Sequence, residues 1–400
     1  MLVTFLVFAS FSLLLLMLLL WYLWPSSRVS TSVPGQSPSH RTLGNIPNIT
    51  DAGGLPHYLQ SLHQQHGMVA SFWIGDYLAI SLASPNLFKL VGEPSTFLYQ
   101  SIVPLINNAE ILEKKSSAGS KINSIMSNFS PFSNTWSENS NCKKNIEELI
   151  KELLSVLSNF GDDDQIPIHD YVTALVVKIV AAERGLEADE LRSNFVNLSV
   201  ELNAFLDSDG DNVELLKLLL QRGEAFFTST GEKNGPNIFG DILLISTLTT
   251  WSLYYLSRNK KLQKRINDKE DNLTPFLTEI IRVTGLIPLT ARVLKQNVNI
   301  LGHTIEEGTL VINSLSSIWW DCTHFPNPEE VNLERKNGCI LDQINANAMS
   351  SSSLLTAQII VLQFLKKFEL KVADPDLIIR PKFNFISKPD CDVWLMLKKN

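Results

Sequence analysis

Residues 1–24 form an almost wholly apolar stretch, interrupted only by Thr4, Ser10 and Ser12. At about 1.5 Å per residue, a helix of this length crosses a bilayer core of about 30 Å. The alternative is a cleaved signal peptide, but no Lys or Arg precedes the run and no small-residue cleavage site follows it. We therefore interpret the stretch as one transmembrane helix that anchors whatever folds behind it.

The anchor is followed by cations on its C-terminal side only, at Arg28 and Arg41. Because positive charge stays on the cytoplasmic side, this asymmetry places the body of the protein in the cytosol. Residues 25–48 are rich in Ser, Pro and Gly, which favours an extended hinge over a packed element. Residues 49–400 are then long enough to form one large domain.

The charge and cysteine content exclude two classes of protein. A formal net charge of -7 without a Lys/Arg-rich block argues against a nucleic-acid partner, because phosphate binding needs a basic face. The four cysteines form neither CxxC pairs nor a regular disulfide spacing, so a reducing compartment fits best.

Periodicity predicts a mixed α/β fold that is mainly α. Two strands joined at Gly75 and Asp76 read as a hairpin, and β-type alternation returns in residues 298–312. Residues 238–256 are apolar nearly all round, as expected for a helix buried on every side. The other predicted helices are residues 55–66, 142–159, 168–184, 189–206, 213–227, 272–284 and 354–368.

The helix predicted at residues 272–284 carries Glu279 and Arg282, spaced three apart. On a helix this spacing puts both side chains on one face. Alone, such a pair is typical of an exposed ion pair that contributes little to stability. The motifs that follow it change this interpretation.

After this pair comes Arg292, then Gly-His-Thr-Ile-Glu-Glu-Gly-Thr-Leu-Val at residues 302–311, and then Leu-Glu-Arg at residues 333–335. This order resembles the cytochrome P-450 superfamily. In that family a helical Glu-x-x-Arg is followed by a strand Arg, a Gly-x-x-Ile-x-x-Gly-Thr-x-Val hairpin and a Pro-Glu-Arg-Phe-like segment. Several ordered motifs are more specific than one.

The N-terminal part of the body carries a narrower resemblance. The stretches at residues 44–48, 62–67 and 71–75 are similar to cytochrome P-450 family 20 (subfamily A), an orphan vertebrate group. The resemblance therefore extends over nearly the full length of the chain. It implies a P-450-like helical fold with small β-sheets behind the anchor.

The resemblance also implies roles for individual residues. Glu279, Arg282 and Arg335 would form a buried charge network beneath a haem, where the Arg fork can hold the carboxylate bidentately. Arg292 would contact a haem propionate. The cofactor would be heme b, with electrons from NADPH arriving through NADPH-cytochrome P-450 reductase or cytochrome b5. The implied activity is insertion of one oxygen atom from O2 into a small lipophilic substrate, at the endoplasmic reticulum membrane.

The cysteine that should ligate the haem iron is missing from its expected place. The resemblance places it in a Phe-x-x-Gly-x-Arg-x-Cys-x-Gly loop just before the helix predicted at residues 354–368. The cysteine thiolate donates electron density to the iron, which favours O–O cleavage. Residues 341–350 contain no Cys, Gly or Arg. Cys339 is the nearest candidate ligand, although only a short connection separates it from Arg335. We expect the remaining cysteines to be ordinary half-buried thiols: Cys142, Cys322 and Cys391.

The acid and alcohol side chains that activate oxygen in the family are also absent from their expected positions. In the register of the central helix, Leu243 and Leu244 stand at their positions, and Asp241 and Thr247 are the nearest substitutes. Each of these two reads better as a cap or a helix-face hydroxyl than as a proton relay.

Three functional hypotheses follow from the sequence. The first is a haem-thiolate monooxygenase-like protein, either active or inactive. The second is a non-catalytic, membrane-anchored protein of the same scaffold that lacks haem. The third, an unrelated helical interaction protein tethered to a membrane, requires the motif order after Glu279 to be a coincidence.

Overall fold

The computed structural model describes residues 15–17, 31–75, 77–91, 140–207, 213–230, 235–335, 351–383 and 386–400. Within these ranges no helix is both long and apolar enough to cross a membrane. Apart from residues 15–17, the predicted anchor at residues 1–24 lies outside them.

Helices make up most of the described chain. They are α1 (Ile46–Asp51), α2 (Leu55–His66), α3 (Pro85–Val91), α4 (Ser140–Leu157), α5 (Ile168–Arg184), α6 (Ala188–Asp207), α7 (Val213–Thr230), α8 (Gly235–Ser257), α9 (Lys260–Asp268), α10 (Leu273–Thr284), α11 (Leu315–Trp319) and α12 (Ser351–Lys367). Every helix predicted from periodicity is found, with ends that differ by a few residues. The mixed, mainly helical fold class is thereby confirmed.

The strands are short and belong to small sheets. They are β1 (Val69–Ile74), β2 (Tyr77–Leu82), β3 (Ile166–Pro167), β4 (Leu289–Val293), β5 (Val298–Ile300), β6 (His303–Ile305), β7 (Leu310–Ser314), β8 (Phe368–Val372), β9 (Pro381–Phe383), β10 (Ser387–Pro389) and β11 (Trp394–Lys399). One sheet has the order β1-β2-β7-β4 and another the order β3-β11-β8. The predicted hairpin is the antiparallel pair β1 and β2.

Helix α8 is the centre of the main core. It packs against α5, α10 and α12. Its apolar side chains are buried on all sides, with Phe239, Trp251 and Leu253 at most 1% exposed. The all-round apolar pattern predicted this position correctly, because a helix without a polar face has nothing to present to water.

Part of the predicted hinge is packed, which corrects the sequence-based expectation. Asn45 is fully buried and accepts a hydrogen bond on its side-chain oxygen from the backbone N–H of Trp73 at 2.8 Å. Gly44 has a φ of 65° and lies so close to the Trp73 carbonyl that a side chain would collide with it. Residues 34–36 and 44–45 bond to β1 because the free edge of that strand offers hydrogen bonds that a flexible linker would leave to water.

Candidate functional site

Helix α10 brings Glu279 and Arg282 together in the core. Arg282 Nε donates to Glu279 Oε1 at 2.9 Å, and Arg282 Nη2 donates to Glu279 Oε2 at 3.0 Å. The pair is nearly inaccessible to solvent, at 2% and 0% exposure. A two-pronged contact of this kind is the strong form of an Arg–carboxylate pair.

Arg335 completes the network from a loop distant in sequence. Its Nε donates to Glu279 Oε2 at 3.0 Å, and the backbone N–H of Asn332 donates to the same oxygen at 3.0 Å. The structure thus brings together the three residues for which the family resemblance implied a network.

The two guanidinium groups also hold the backbone of the loop before Arg335. Arg282 donates to the carbonyl oxygen of Pro328 at 2.6 Å, and Arg335 donates to those of Pro326 and Asn327, both at 2.7 Å. These backbone acceptors were missed by sequence reasoning, because carbonyl groups leave no signal in a sequence. The network therefore fixes this loop against α10.

Arg292 lies in β4, where it pairs with Val311 of β7. Its side chain is half-buried. The propionate contact implied by the family resemblance stays a prediction.

The structure leaves Cys339 untested as the iron ligand and places two other cysteines at the surface. Cys339 lies outside the residues that the structure describes, as does the side chain of Cys142. Cys322 and Cys391 are free thiols at exposed positions, which corrects the expectation that they are half-buried. Both stand in polar surface segments, whereas the expectation rested only on the general tendency of cysteine to be buried.

Asp241 and Thr247 are not brought together. Ser353, in the first turn of α12, donates its hydroxyl to Asp241 Oδ1 at 2.9 Å, and both residues are 1% exposed. Thr247 instead lines a cavity, together with Leu243. Sequence reasoning missed Ser353; the run of serines at residues 350–353 was a signal for a helix start, not for a contact with α8.

A further acidic group lies near Asp241. Glu183, at the end of α5, has an Oε1 atom that is buried and has no hydrogen-bond partner among the described residues. The pKa of Glu183 is raised to about 7, chiefly by burial; the positive charge of Arg184 opposes the shift, and the negative charge of Asp241 adds to it. Burial disfavours the charged carboxylate because the interior solvates it poorly.

The described residues do not fit a haem at the place where the family resemblance puts it, and the segment with Cys339 lies outside them. That place lies between α8 and the start of α12, and there the two helices are joined directly by Ser353 and Asp241. A porphyrin between them would separate two buried side chains that hydrogen-bond each other.

Comparison with known proteins agrees with the motifs. The Cytochrome P-450 family model matches residues 245–337, a segment that includes the Glu279 network and Arg292 and ends before Cys339. Cytochrome P-450 20A1 of Homo sapiens is 20% identical over 99% of both chains, and that of Mus musculus is 21% identical over the same share. Mitochondrial cytochrome P-450 315a1 of Drosophila melanogaster is 32% identical over 24% of this chain and 21% of its own.

The alignment with the human relative extends over 464 residues, whereas this chain has 400, so it lacks residues that the relative possesses. The order of the motifs, the assembled network and the full-length similarity lead to one conclusion. This chain resembles the cytochrome P-450 superfamily in residues 245–337 and cytochrome P-450 20A1 along nearly its whole length.

Proposed function

We propose that this chain is a cytochrome P-450-like protein that has kept the scaffold of a haem-thiolate monooxygenase but closed the haem space. Relationship to the P-450s supports a monooxygenase-like function in general. The observation that carries the proposal is the 2.9 Å hydrogen bond between Ser353 and Asp241, which joins the two helices that would have to flank a haem. With the haem space closed, the chain is a non-catalytic P-450-like protein.

The second candidate is a working monooxygenase. It is favoured by the Glu279 network, whose three members make all the contacts implied by the family resemblance. This reading needs α8 and α12 to separate, Cys339 to provide the thiolate and Arg292 to hold a haem propionate. It would draw electrons from NADPH-cytochrome P-450 reductase or cytochrome b5 and oxidise a small lipophilic substrate.

Both candidates share a location. We propose that residues 1–24 hold the protein in the endoplasmic reticulum membrane as a single-pass anchor, with the body in the cytosol. The apolar length of the segment and the cations that follow it support this arrangement.

An absorbance measurement separates the two candidates. The purified full-length chain is titrated with hemin, reduced and treated with carbon monoxide, with an authentic P-450 in parallel. We expect neither saturable haem uptake nor the absorbance band that reports a thiolate ligand. Haem-saturated protein whose thiolate band disappears in Cys339→Ser and persists in Cys322→Ser would contradict the proposal and establish the second candidate.

A further inference from the structure

The small sheet β3-β11-β8 has one face packed on the core and one face turned outward. Successive side chains of a strand point to opposite faces of its sheet. Phe368 and Leu370 of β8, with Leu395 and Leu397 of β11, are at most 3% exposed and belong to the core. The residues that alternate with them form the outer face: Glu369, Lys371, Trp394, Met396 and Lys398.

Lysines surround the carboxylate of this outer face. Lys398 lies directly opposite Glu369 in the register of the two strands, and Lys371 lies two residues further along β8, on the same side. Lys260 of α9 forms an ion pair with Glu369. The hydrogen bond from Lys260 lowers the pKa of Glu369, and the positive charges of Lys371 and Lys398 lower it further. Three cations thus meet one anion, and the outer face keeps a positive charge.

The neighbouring elements add to this positive charge. Together α9, β8 and β11 carry seven cationic side chains and two acidic ones, whereas the whole chain has a formal net charge of -7. Charge of one sign that is gathered in one region steers a partner of the opposite sign towards it. A partner that binds here is therefore anionic.

Two apolar side chains lie beside the lysines. Trp394 is 41% exposed, and Met396, two residues along the same strand, is half-buried. Met396 pairs with Lys371 across to β8. Tryptophan and methionine are enriched in protein–protein interfaces, where they supply much of the binding energy, and charged residues are depleted from the interface centre. The outer face therefore fits an acidic peptide segment with apolar side chains at its centre.

A bilayer surface fits the outer face less well than a peptide does. Sites for anionic lipids use clusters of about 4–8 cations, whereas this face offers three lysines, offset by Glu369. The face is also remote from Ser353, because β8 begins after Lys367, about 21 Å further along the axis of α12. It is thus separate from the place where the family resemblance puts the haem.

We propose that the outer face of this sheet binds an acidic peptide segment of a partner protein. Carboxylates of the segment pair with Lys371 and Lys398, and its apolar side chains pack on Trp394 and Met396. The contact is small, as is typical of transient complexes. It requires no haem, so the haem titration leaves this inference untouched.

The probe is the fluorescein-labelled peptide Glu-Glu-Leu-Phe-Glu-Glu. Its counterparts are Gln-Gln-Leu-Phe-Gln-Gln, which lacks the charges, and Glu-Glu-Ser-Ser-Glu-Glu, which lacks the apolar side chains. Binding to the full-length chain in phosphatidylcholine nanodiscs is followed by fluorescence anisotropy, with empty nanodiscs subtracted. We expect each counterpart to bind roughly tenfold more weakly, because it has lost one of the two contributions. Salt at about 0.5 M should weaken the acidic peptide alone to the level of the uncharged one, since it screens exposed charges.

Three outcomes would overturn the proposal. The first is no binding of the acidic peptide, and the second is equal binding of the acidic and the uncharged peptide. The third is a chain that ignores all three peptides and binds vesicles rich in phosphatidylserine, or single-stranded RNA, which would assign the face to another class of partner.

Lysine variants locate the site. The double variant Lys371→Gln, Lys398→Gln should bind the acidic peptide roughly tenfold more weakly and the uncharged peptide as before. Its matched control is the double variant Lys89→Gln, Lys295→Gln, which changes the net charge equally at exposed positions outside the sheet and should bind normally. An equal loss in both double variants, or none in the first, contradicts the assignment.

The apolar part of the site is tested separately. Trp394→Ala should weaken the acidic and the uncharged peptide alike, because both carry the apolar side chains that pack on the indole. Should Trp394→Ala fail to fold in a thermal melt, Met396→Glu tests the same place by setting a carboxylate against the acidic peptide. Undiminished binding of the acidic peptide in a folded variant contradicts the role of these side chains.

Discussion

At the scale of single residues, the Glu279 network combines two cations with one anion in the core. The excess positive charge is offset by backbone carbonyl groups, since Arg282 and Arg335 also donate to five of them in the range 319–330. Arg282 lies 5.1 Å from the centre of the Phe325 ring as well. Each buried polar atom of such a network needs its partner, because an unpaired buried charge is costly.

Replacing Arg282 by Leu should therefore destabilise the protein severely. The change leaves the buried Glu279 carboxylate without its bidentate partner, and the loss of one member of a buried pair costs about 3–5 kcal/mol. Arg265→Leu is the matched control, because Arg265 and Glu334 form an exposed pair at 3.1 Å. We expect less than about 1 kcal/mol there. Equal losses in chemical denaturation would show that the Glu279 network contributes no more than a surface pair.

Glu183 should make stability depend on pH. Its pKa is raised from 4.5 to about 7 in the folded protein, chiefly by burial. Between these pH values the unfolded chain loses its proton first, so the free energy of unfolding falls as the pH rises and stays low above pH 7. Glu183→Gln should remove this fall.

We expect Glu183→Gln to be more stable than the unaltered protein by about 1 kcal/mol at pH 8, a figure reduced for the solvent that reaches this half-buried group. At pH 4 the two proteins should be equally stable. Glu306→Gln, at an exposed position, is the control and should change neither value. A stabilisation of the same size at pH 4 and pH 8 would show that ionisation of Glu183 is not the cause.

At the scale of elements, α8 carries many hydroxyl groups through an apolar core without breaking. Ser246, Thr250 and Ser252 each donate to a carbonyl group four residues earlier, at 2.6–2.8 Å. These hydroxyls are satisfied within the helix and need no neighbour. The Asp241 carboxylate has no hydrogen to donate to a carbonyl group of its own helix, and it accepts a hydrogen bond from α12 instead.

The contact between α8 and α12 should be measurable in a Ser353→Ala variant. Removing the hydroxyl deprives the buried Asp241 Oδ1 of a donor, which costs about 1–3 kcal/mol. Ser252→Ala is the matched control, because that hydroxyl bonds only to its own helix, and we expect less than about 1 kcal/mol. Thermal melts compare the two. No difference between them would argue that Ser353 does not join the helices, and with that the proposed closure of the haem space would lose its support.

At the scale of the whole molecule, the folded body begins before the boundary drawn from composition. Residues 31–48 belong to it structurally, because residues 34–36 and 44–45 bond the edge of β1, and Val33 and Asn45 are buried. A segment that would tether this body without disturbing it must end before residue 31.

Deleting residues 1–30 should therefore release the protein from the membrane while keeping it folded. We expect a substantial part of the truncated chain in the soluble fraction after ultracentrifugation, with the melting behaviour of the full chain. Deleting residues 1–48 is the comparison and should lower stability, because it removes the strand-like segment beside β1. A truncated chain that stays wholly with the membrane would contradict the anchor hypothesis.

The sequence by itself determined the features that depend on neighbours along the chain. Helix α5 (Ile168–Arg184) was predicted to the residue, because an apolar repeat and a glycine after its last turn act locally. Helix geometry also placed Glu279 and Arg282 on one face, since three residues make nearly one turn. By contrast, the prediction that Arg335 joins this pair rested on the resemblance to a family and not on a local pattern.

The tertiary structure alone decided the contacts between distant segments. Ser353 meets Asp241 across 112 residues, and His169 meets Thr250 across 81. A serine or histidine reads the same in the sequence whether it faces water, caps a helix or bonds a partner in the core. Its role is fixed only when packing selects one neighbour and removes water from the rest, which is why the contact that joins α8 to α12 could not be predicted from the sequence.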